Sequence, residues 1–314
     1  MIKTIGIIGF GSIGGRHYRN IKKLYPRVKV KILTKRTDLF LKDEIFKSEN
    51  EFFKNTADVF FITNETYKHA DAIIKCLKQK PKGIFVEKPL FHNLKKANEI
   101  KKLLSRTPVF FVGYCLQFHK PIIELKKIIK KKIIGRPVFI RASVGQDLRT
   151  WRKRDYKKIY SYDAQRGGGV VLDLIHEINY PAWLIDENIK FKAGLVKRAG
   201  MFNIKSEDIA EGVFESKTGT VVSIHQDYLR YPGRRYCEII GDKGTATWDS
   251  LKNEIAVRLP KRESFINVKV DGNKMYLNEL SFFIKKVLKR VKHSNFNEAL
   301  GDLKNALALK QNNV

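Results

Sequence analysis

Apolar residues in the first third of the chain fall into short unbroken runs separated by stretches of helical spacing. Lys3–Ile8, Val28–Leu33, Asp58–Thr63, Gly83–Val86 and Val109–Val112 show no polar alternation within their apolar cores. That is the pattern of strands buried on both faces. Between them, Ile13–Leu24, the set Ala70, Ile73, Ile74 and Leu77, and Leu94–Leu104 carry apolar positions at helical intervals. Ser48 and Glu51 make a capping-box pattern ahead of Phe52-Phe53. Strands alternating with helices predict βαβ units, a parallel sheet and helices on both of its faces.

After about Lys120 the pattern changes. A basic amphipathic helix ends at Gly135, and Pro137–Val144 is strand-like. A polar, aromatic-rich stretch, Gln146–Gln165, precedes a helix expected from about Leu172 to Leu184. Glu211–Gln226 alternates around Thr218-Gly219, and Arg235–Trp248 alternates around Asp242-Lys243-Gly244, each the signal of a hairpin. Two more strand-like runs end near Val270, and helices are expected over Met275–Val291 and Asn297–Leu309. The chain is therefore expected to be α/β, with a doubly wound parallel domain over 1–118. An α+β domain over 119–314 would follow, with a large, mostly antiparallel open sheet that serves substrate binding and oligomerisation. The last helices are expected to pack back on the first domain.

Composition changes this picture little. Hydrophobic residues make up 43%, enough for a real core. Lys and Arg number 62 against 32 Asp and Glu, a net charge of +30. A nucleic-acid binder would cluster that charge on one face. Here lysine is spread along the chain, and the dense run Lys126–Lys132 alternates with isoleucines on a helix with a solvated basic face. The charge is taken as a solvated surface, compatible with attraction of a phosphate-bearing substrate, and no nucleic-acid partner is expected. Cys76, Cys115 and Cys237 stand singly, which argues against a disulfide framework or a cysteine metal site. No apolar run approaches the ~20 residues that cross a bilayer, and Met1 leads straight into a strand. A cytoplasmic protein without a membrane partner is expected.

Gly9-Phe10-Gly11-Ser12-Ile13-Gly14 follows the first strand and opens the first helix, the setting in which G-x-G-x-x-G reads as a dinucleotide site. The first glycine permits the turn, the second lets backbone approach a pyrophosphate, and the third lets helix and strand pack closely. The phosphates would rest on free amides at the helix start. After the second strand, Thr34-Lys35-Arg36 stands where an NAD site would carry an acid. A hydroxyl followed by two cations suits the 2′-phosphate of NADP, which is favoured over NAD. Glu87-Lys88-Pro89 follows the fourth strand, at the carboxyl end where ligands bind, so Lys88 is expected towards the nicotinamide. Gly167-Gly168-Gly169 opens a helix carrying Asp173 and His176, three apart and so expected on one face. The glycines are expected to let this backbone lie close to the cofactor-bearing domain.

Taken in order, the glycine turn, Glu87-Lys88-Pro89, Gly113-Tyr114 with Phe118-His119, and the triple glycine with Asp173 and His176 resemble the Gfo/Idh/MocA oxidoreductases. The resemblance implies a Rossmann domain followed by an open-sheet domain, and an NAD(P)-dependent dehydrogenase or reductase acting on CH–OH groups. It implies that Lys88 is the active-site lysine, His176 the catalytic histidine and Asp173 its acidic companion. His69 keeps its family place beside the cofactor, and Asn64-Glu65-Thr66 replaces the commoner Thr-Pro there. The family spacing from Asp to His is often one residue longer. Trp151-Arg152, Asp155-Tyr156 and Tyr160-Ser161 look closest to a subset found with bacterial surface-polysaccharide genes, which implies a sugar or sugar-nucleotide substrate. Cofactor contacts are then expected from Gly9, Gly11, Ser12, Ile13, Gly14, Thr34, Lys35, Arg36, Asn64, His69, Glu87 and Lys88. Substrate contacts are expected from Tyr114, Arg152, Tyr156 and Tyr160. Arg149 and Arg154 lie in the same polar stretch, which serves equally well as a solvated loop or an oligomer contact. His176 would take the hydroxyl proton and Lys88 would stabilise the oxygen. No metal is implied. An open sheet face would be covered in a homodimer or homotetramer. The alternative reading is a non-catalytic dinucleotide-binding sensor on the same fold.

Overall fold

A computed structural model of the protein describes residues 1–151, 160–200 and 203–311. It divides into two compact units. The first is Met1–Tyr114 with Tyr276–Leu300, and the second is Cys115–Met275 with the residues from Gly301 on.

The first unit is built on parallel strands β1 (Thr4–Ile8), β2 (Lys29–Leu33), β3 (Glu44–Phe46), β4 (Val59–Ile62), β5 (Gly83–Glu87) and β6 (Val109–Gly113), joined late in the chain by β15 (His293–Ser294). Their order is β15-β6-β5-β4-β1-β2-β3. The order in which strands are added reverses at β1, which has β2 parallel to it on one side and β4 parallel to it on the other. That reversal is the switch point where doubly wound sheets bind ligands, at the carboxyl ends of the strands. Strands β4, β5 and β6 are buried along their whole length, as their unbroken apolar runs require. The helices are α1 (Ser12–Leu24), α2 (Glu49–Lys54), α3 (His69–Lys78) and α4 (Ala97–Leu103), with Tyr276–Leu288 of α9 (Lys274–Leu288). Ser48 is the N-cap of α2 but makes no side-chain cap bond, so the capping-box expectation holds for position and fails for contact.

The second unit holds an eight-stranded sheet. Its strands are β7 (Pro137–Gly145), β8 (Ile189–Lys197), β9 (Ile209–Ser216), β10 (Val221–Asp227), β11 (Arg234–Gly241), β12 (Thr245–Asp249), β13 (Glu254–Leu259) and β14 (Arg262–Asn267). The order is β14-β13-β12-β11-β7-β10-β9-β8, with β7 and β10 parallel and the other neighbours antiparallel. Ile140, Ala142, Val144, Phe214, Val222, Ile224, Cys237 and Ile239 are buried on one face. Arg141, Glu211, Val213 and His225 alternate with them and are exposed or half-buried, the period-2 alternation of a sheet with one solvated face. The helices of this unit are α5 (Lys120–Lys130), α6 (Leu148–Trp151), α7 (Val170–Asp173), α8 (His176–Ile185) and the greater part of α10 (Phe296–Gln311).

The single helix expected over Leu172–Leu184 is in fact two, α7 and α8, broken at Leu174-Ile175. At this break the Leu174 carbonyl accepts from the buried Gln226 amide of β10 at 2.6 Å and from the Glu177 amide at 3.1 Å, a tight i→i+3 turn in place of the helical bond. Asp173 closes one helix and His176 opens the next, so the shared-face argument fails. Strands β3 and β15 are too short for a periodicity reading to find.

On the open sheet face, His225 stands between Asp227 (2.9 Å) and Glu211 (2.6 Å). Hydrogen bonds to Asp227 and then Glu211 raise its pKa from 6.5 to about 9. A folded value above the unfolded one makes the protonated imidazole stabilising. That stabilisation is complete below about pH 6.5 and is lost as pH rises through about 9. His225→Ala should therefore lower the melting temperature at pH 6, and the difference should shrink towards zero above pH 9. A thermal shift independent of pH would contradict the assignment.

Candidate active site

The candidate residues fall in both units. In the first, β1 ends at Gly9, whose φ of +90° is the left-handed region that favours glycine. A Cβ there would lie 2.5 Å from the Asn64 Cα, in the turn after β4. A Cβ on Gly14 would run into the Gly9 carbonyl and lie 2.7 Å from Thr63 Oγ1, which itself donates to Gly9 O at 2.7 Å. These two glycines therefore bring β1, α1 and β4 together. Gly11 is different: a Cβ there would meet nothing within 4 Å. It is the N-cap of α1 and makes no side-chain cap bond. The first-turn amides of Ser12, Ile13 and Gly14 have no acceptor within the helix and share the positive end of its dipole. The Asn64 Oδ1 beside this turn is buried and has no hydrogen-bond partner among the described residues. Open space over Gly11, unsatisfied amides and a buried polar atom fit the pyrophosphate of a dinucleotide.

Around the turn, Thr34 is buried, and its Oγ1 accepts from the Arg36 amide at 3.2 Å. Lys35 is exposed. The Arg36 guanidinium donates to the Phe10 carbonyl at 3.2 Å and is paired with Asp38. Asp38 is an acid that the sequence reading passed over. His69 is buried, its Nδ1 3.0 Å from the Pro89 carbonyl and its Nε2 3.1 Å from the Asn64 carbonyl. It joins the loops after β4 and β5, and burial lowers its pKa. Glu87 ends β5 with its carboxylate 2.6 Å from Nε2 of His17, a buried α1 residue. The side chain expected to touch cofactor is thus engaged inside the protein. Lys88 follows half-buried, at a cis Lys88-Pro89 peptide. Tyr114, expected at substrate, is fully buried at the end of this unit.

In the second unit, His176 opens α8 and is 6% exposed. Its Nε2 lies 3.7 Å from the Cys115 sulfur. Asp173 is buried and accepts from the Tyr228 hydroxyl at 2.6 Å. Behind His176, the buried Glu177 pairs with Arg235 at 2.6 Å, and Gln117 donates to Asn179, which donates to Asp302. His119 lies edge-on to Trp248, and burial followed by the Arg235 charge brings its pKa down to about 4. The triple glycine has its reason within this unit. A Cβ on Gly168 would strike the carbonyls of Tyr160, Ser161 and Asp163, and one on Gly169 (φ +107°) would strike the Glu207 carboxylate. The expected approach to the cofactor-bearing domain is not what requires these glycines. Tyr160 is half-buried in a single turn, Tyr160–Tyr162. Arg152, Arg154 and Tyr156 lie outside the described residues.

His17, Asp38, Cys115, Tyr228 and Arg235 were not found from sequence. His17 alone left a local signal, since it is three residues after Gly14 and four before Ile21, on the buried stripe of α1.

Two family models match the chain. The oxidoreductase family with an NAD-binding Rossmann fold matches residues 3–114, and the Gfo/Idh/MocA C-terminal domain matches residues 122–247. A myo-inositol 2-dehydrogenase of Thermotoga maritima is 25% identical over 305 residues, covering 90% of this chain and 87% of its own. The crystal structure of a myo-inositol 2-dehydrogenase from Lactobacillus plantarum superposes with a TM-score of 0.83 at 18% identity, over 99% of this chain and 97% of that one. A UDP-N-acetylglucosamine 3-dehydrogenase from Acidithiobacillus ferrooxidans gives a TM-score of 0.78 at 15% identity, over 100% and 98%. The likeness to these structures shows a shared fold, and both halves of the chain match the family's own models. The protein belongs to the Gfo/Idh/MocA family of NAD-binding oxidoreductases.

Proposed function

We propose that the protein transfers a hydride between NAD(P) and a carbinol or keto carbon of a sugar or sugar nucleotide, in the making of a bacterial surface polysaccharide or another glycan. The observation that carries this reading is the uncapped start of α1 under open space at Gly11. The relatives named for inositol and for a UDP-sugar support the substrate class. When bound, the nicotinamide supplies the hydride donor or acceptor. The Gly11–Gly14 amides hold its pyrophosphate, and His69 keeps the loops at Asn64 and Pro89 in place. His176 takes or returns the hydroxyl proton; imidazole has an unperturbed pKa near ~6.5, suited to exchange at neutral pH. Lys88 stabilises charge on the substrate oxygen. Asp173, held by Tyr228, binds a substrate hydroxyl. The test is reduction of NAD⁺ or NADP⁺, followed by nicotinamide absorbance, with myo-inositol and a set of UDP-, GDP- and CMP-sugars. Turnover with one of these is expected; binding of neither cofactor would overturn the reading.

NADP is the favoured cofactor, because Arg36 is fixed beside the glycine turn by the Phe10 carbonyl. Asp38 neutralises part of that charge and offers an acceptor suited to ribose hydroxyls. Arg36→Ala should weaken NADPH binding about ten- to a hundredfold and leave NADH nearly unchanged, since a charge-assisted bond contributes about 1.5–3 kcal/mol. Asp38→Ala should weaken NADH more than NADPH. Fluorescence titration of both variants checks this, and the reverse order would assign the site to NAD.

A further inference from the structure

Strand β5 and helix α9 run antiparallel in close contact, with a regular correspondence. A Cβ on Gly83 would touch Val287 at 2.7 Å, and the rings of Phe85 and Phe283 lie 5.5 Å apart. Two strand residues span about 6.6 Å and four helical residues about 6 Å. The next pair in this ladder is Glu87 with Glu279. Gly113, the register neighbour of Glu87 on β6, agrees: a Cβ there would lie 3.4 Å from Glu279 Oε1. Every other rung is apolar, and this one holds two carboxyl groups.

Glu279 is 0% exposed, and neither of its oxygens has a hydrogen-bond partner among the described residues. Burial, and then the charge of Glu87, push its pKa well above the usual carboxylate range. Full burial beside a second carboxyl group favours the protonated form of Glu279. In that form it can donate a hydrogen bond as well as accept one. On the other side, His17 of α1 holds Glu87 at 2.6 Å, and Arg16 lies over the Tyr276 ring at 4.3 Å. For stability alone, a leucine in place of Glu279 would do as well or better. The residue that follows Glu87 in the chain is Lys88.

We propose that Glu279, Glu87 and His17 form one buried polar unit beneath the turn after β5, and that Glu279 is a positioning residue for Lys88. Glu279 acts through Glu87, whose backbone carries the lysine, and touches neither cofactor nor substrate. The inference rests on the role given to Lys88 above.

The test compares Glu279→Leu, Glu279→Met and Glu279→Gln in the full chain, with Lys88→Ala as reference. Two readouts are taken: steady-state kinetics on the substrate found in the screen, and competitive acetic anhydride labelling of Lys88 by mass spectrometry, which needs no substrate. Glu279→Leu should melt at or above the wild-type temperature and lower kcat at least about tenfold, with KM for the cofactor within about threefold; misplacement of a reacting group by an ångström can cost about 100-fold. Its Lys88 labelling should change while that of surface lysines does not. Glu279→Gln, which mimics the neutral acid, should restore both readouts to within about threefold of wild type. Glu279→Met gives the same comparison if the leucine variant does not fold. Wild-type kcat and labelling in an apolar variant, or equal losses in the glutamine and apolar variants, would overturn the proposal. Wild-type turnover in Lys88→Ala would instead overturn the role of the lysine, and the labelling result would still judge its positioning.

Discussion

His176→Ala is expected to lower turnover by about 100- to 10,000-fold, the range that general acid–base catalysis supplies. NADPH and NADH affinities should stay within about twofold, because the NAD-binding Rossmann model matches residues 3–114 and His176 lies outside them. The substitution is conservative for the fold in one respect. The Nε2 contact it removes is a 3.7 Å approach to Cys115, and the buried ion pair behind it, Glu177 with Arg235, is untouched. Lys88→Ala should fall in the same range, through lost stabilisation of oxygen charge. Asp173 should behave differently. Tyr228 already holds its carboxylate at 2.6 Å, so Tyr228→Phe removes a buried hydrogen bond to a carboxylate and should cost about 1–3 kcal/mol of stability, read as a lower melting temperature. Steady-state kinetics with thermal melts separate these cases. Near wild-type turnover in both His176→Ala and Lys88→Ala would end the catalytic assignment.

The second large effect divides the three glycines of the turn. Gly11→Ala has no protein atom to strike, so it should fold and melt like wild type. On the proposed reading the added methyl would occupy the approach of the pyrophosphate, and NAD(P)H affinity should fall at least about tenfold. Gly14→Ala places a methyl against the Gly9 carbonyl and Thr63, and Gly9→Ala adds the strain of a left-handed backbone to a clash with Asn64. Overpacking of this kind costs about 1–3 kcal/mol. Both variants should therefore lose stability as well as affinity. Differential scanning fluorimetry beside cofactor titration measures the two quantities together. Equal stability loss in all three variants would mean the turn is only a packing device.

The first unit was legible because its strands are buried on both faces and therefore write continuous apolar runs. The glycine turn was legible because G-x-G-x-x-G stands between a strand and a helix, and close packing accounts for Gly9 and Gly14. The site in the second unit was less so. Helix periodicity ran straight through Leu174 and Ile175, because the Gln226 amide that bonds the Leu174 carbonyl at the break sits on β10, more than fifty positions away, and leaves no local spacing. The partners of Asp173 and Glu177, Tyr228 and Arg235, likewise come from distant strands and leave no local spacing. Arg36 was seen as a cation, but its pairing with Asp38 depends on how the loop after β2 closes. Glu279 reads in the sequence as an ordinary polar helix position; only its ladder against β5 shows that it is buried.

The proposed activity is direct hydride transfer from a substrate carbon to a nicotinamide. Perdeuterated myo-inositol, or a sugar nucleotide deuterated on its ring, incubated with the protein and NADP⁺ or NAD⁺ tests it most directly, with the recovered cofactor analysed by mass spectrometry. Deuterium should appear on the nicotinamide ring with wild-type protein and should be reduced to near background in Lys88→Ala and His176→Ala. A cofactor that binds and yet gains no deuterium from any member of the set would contradict the claim.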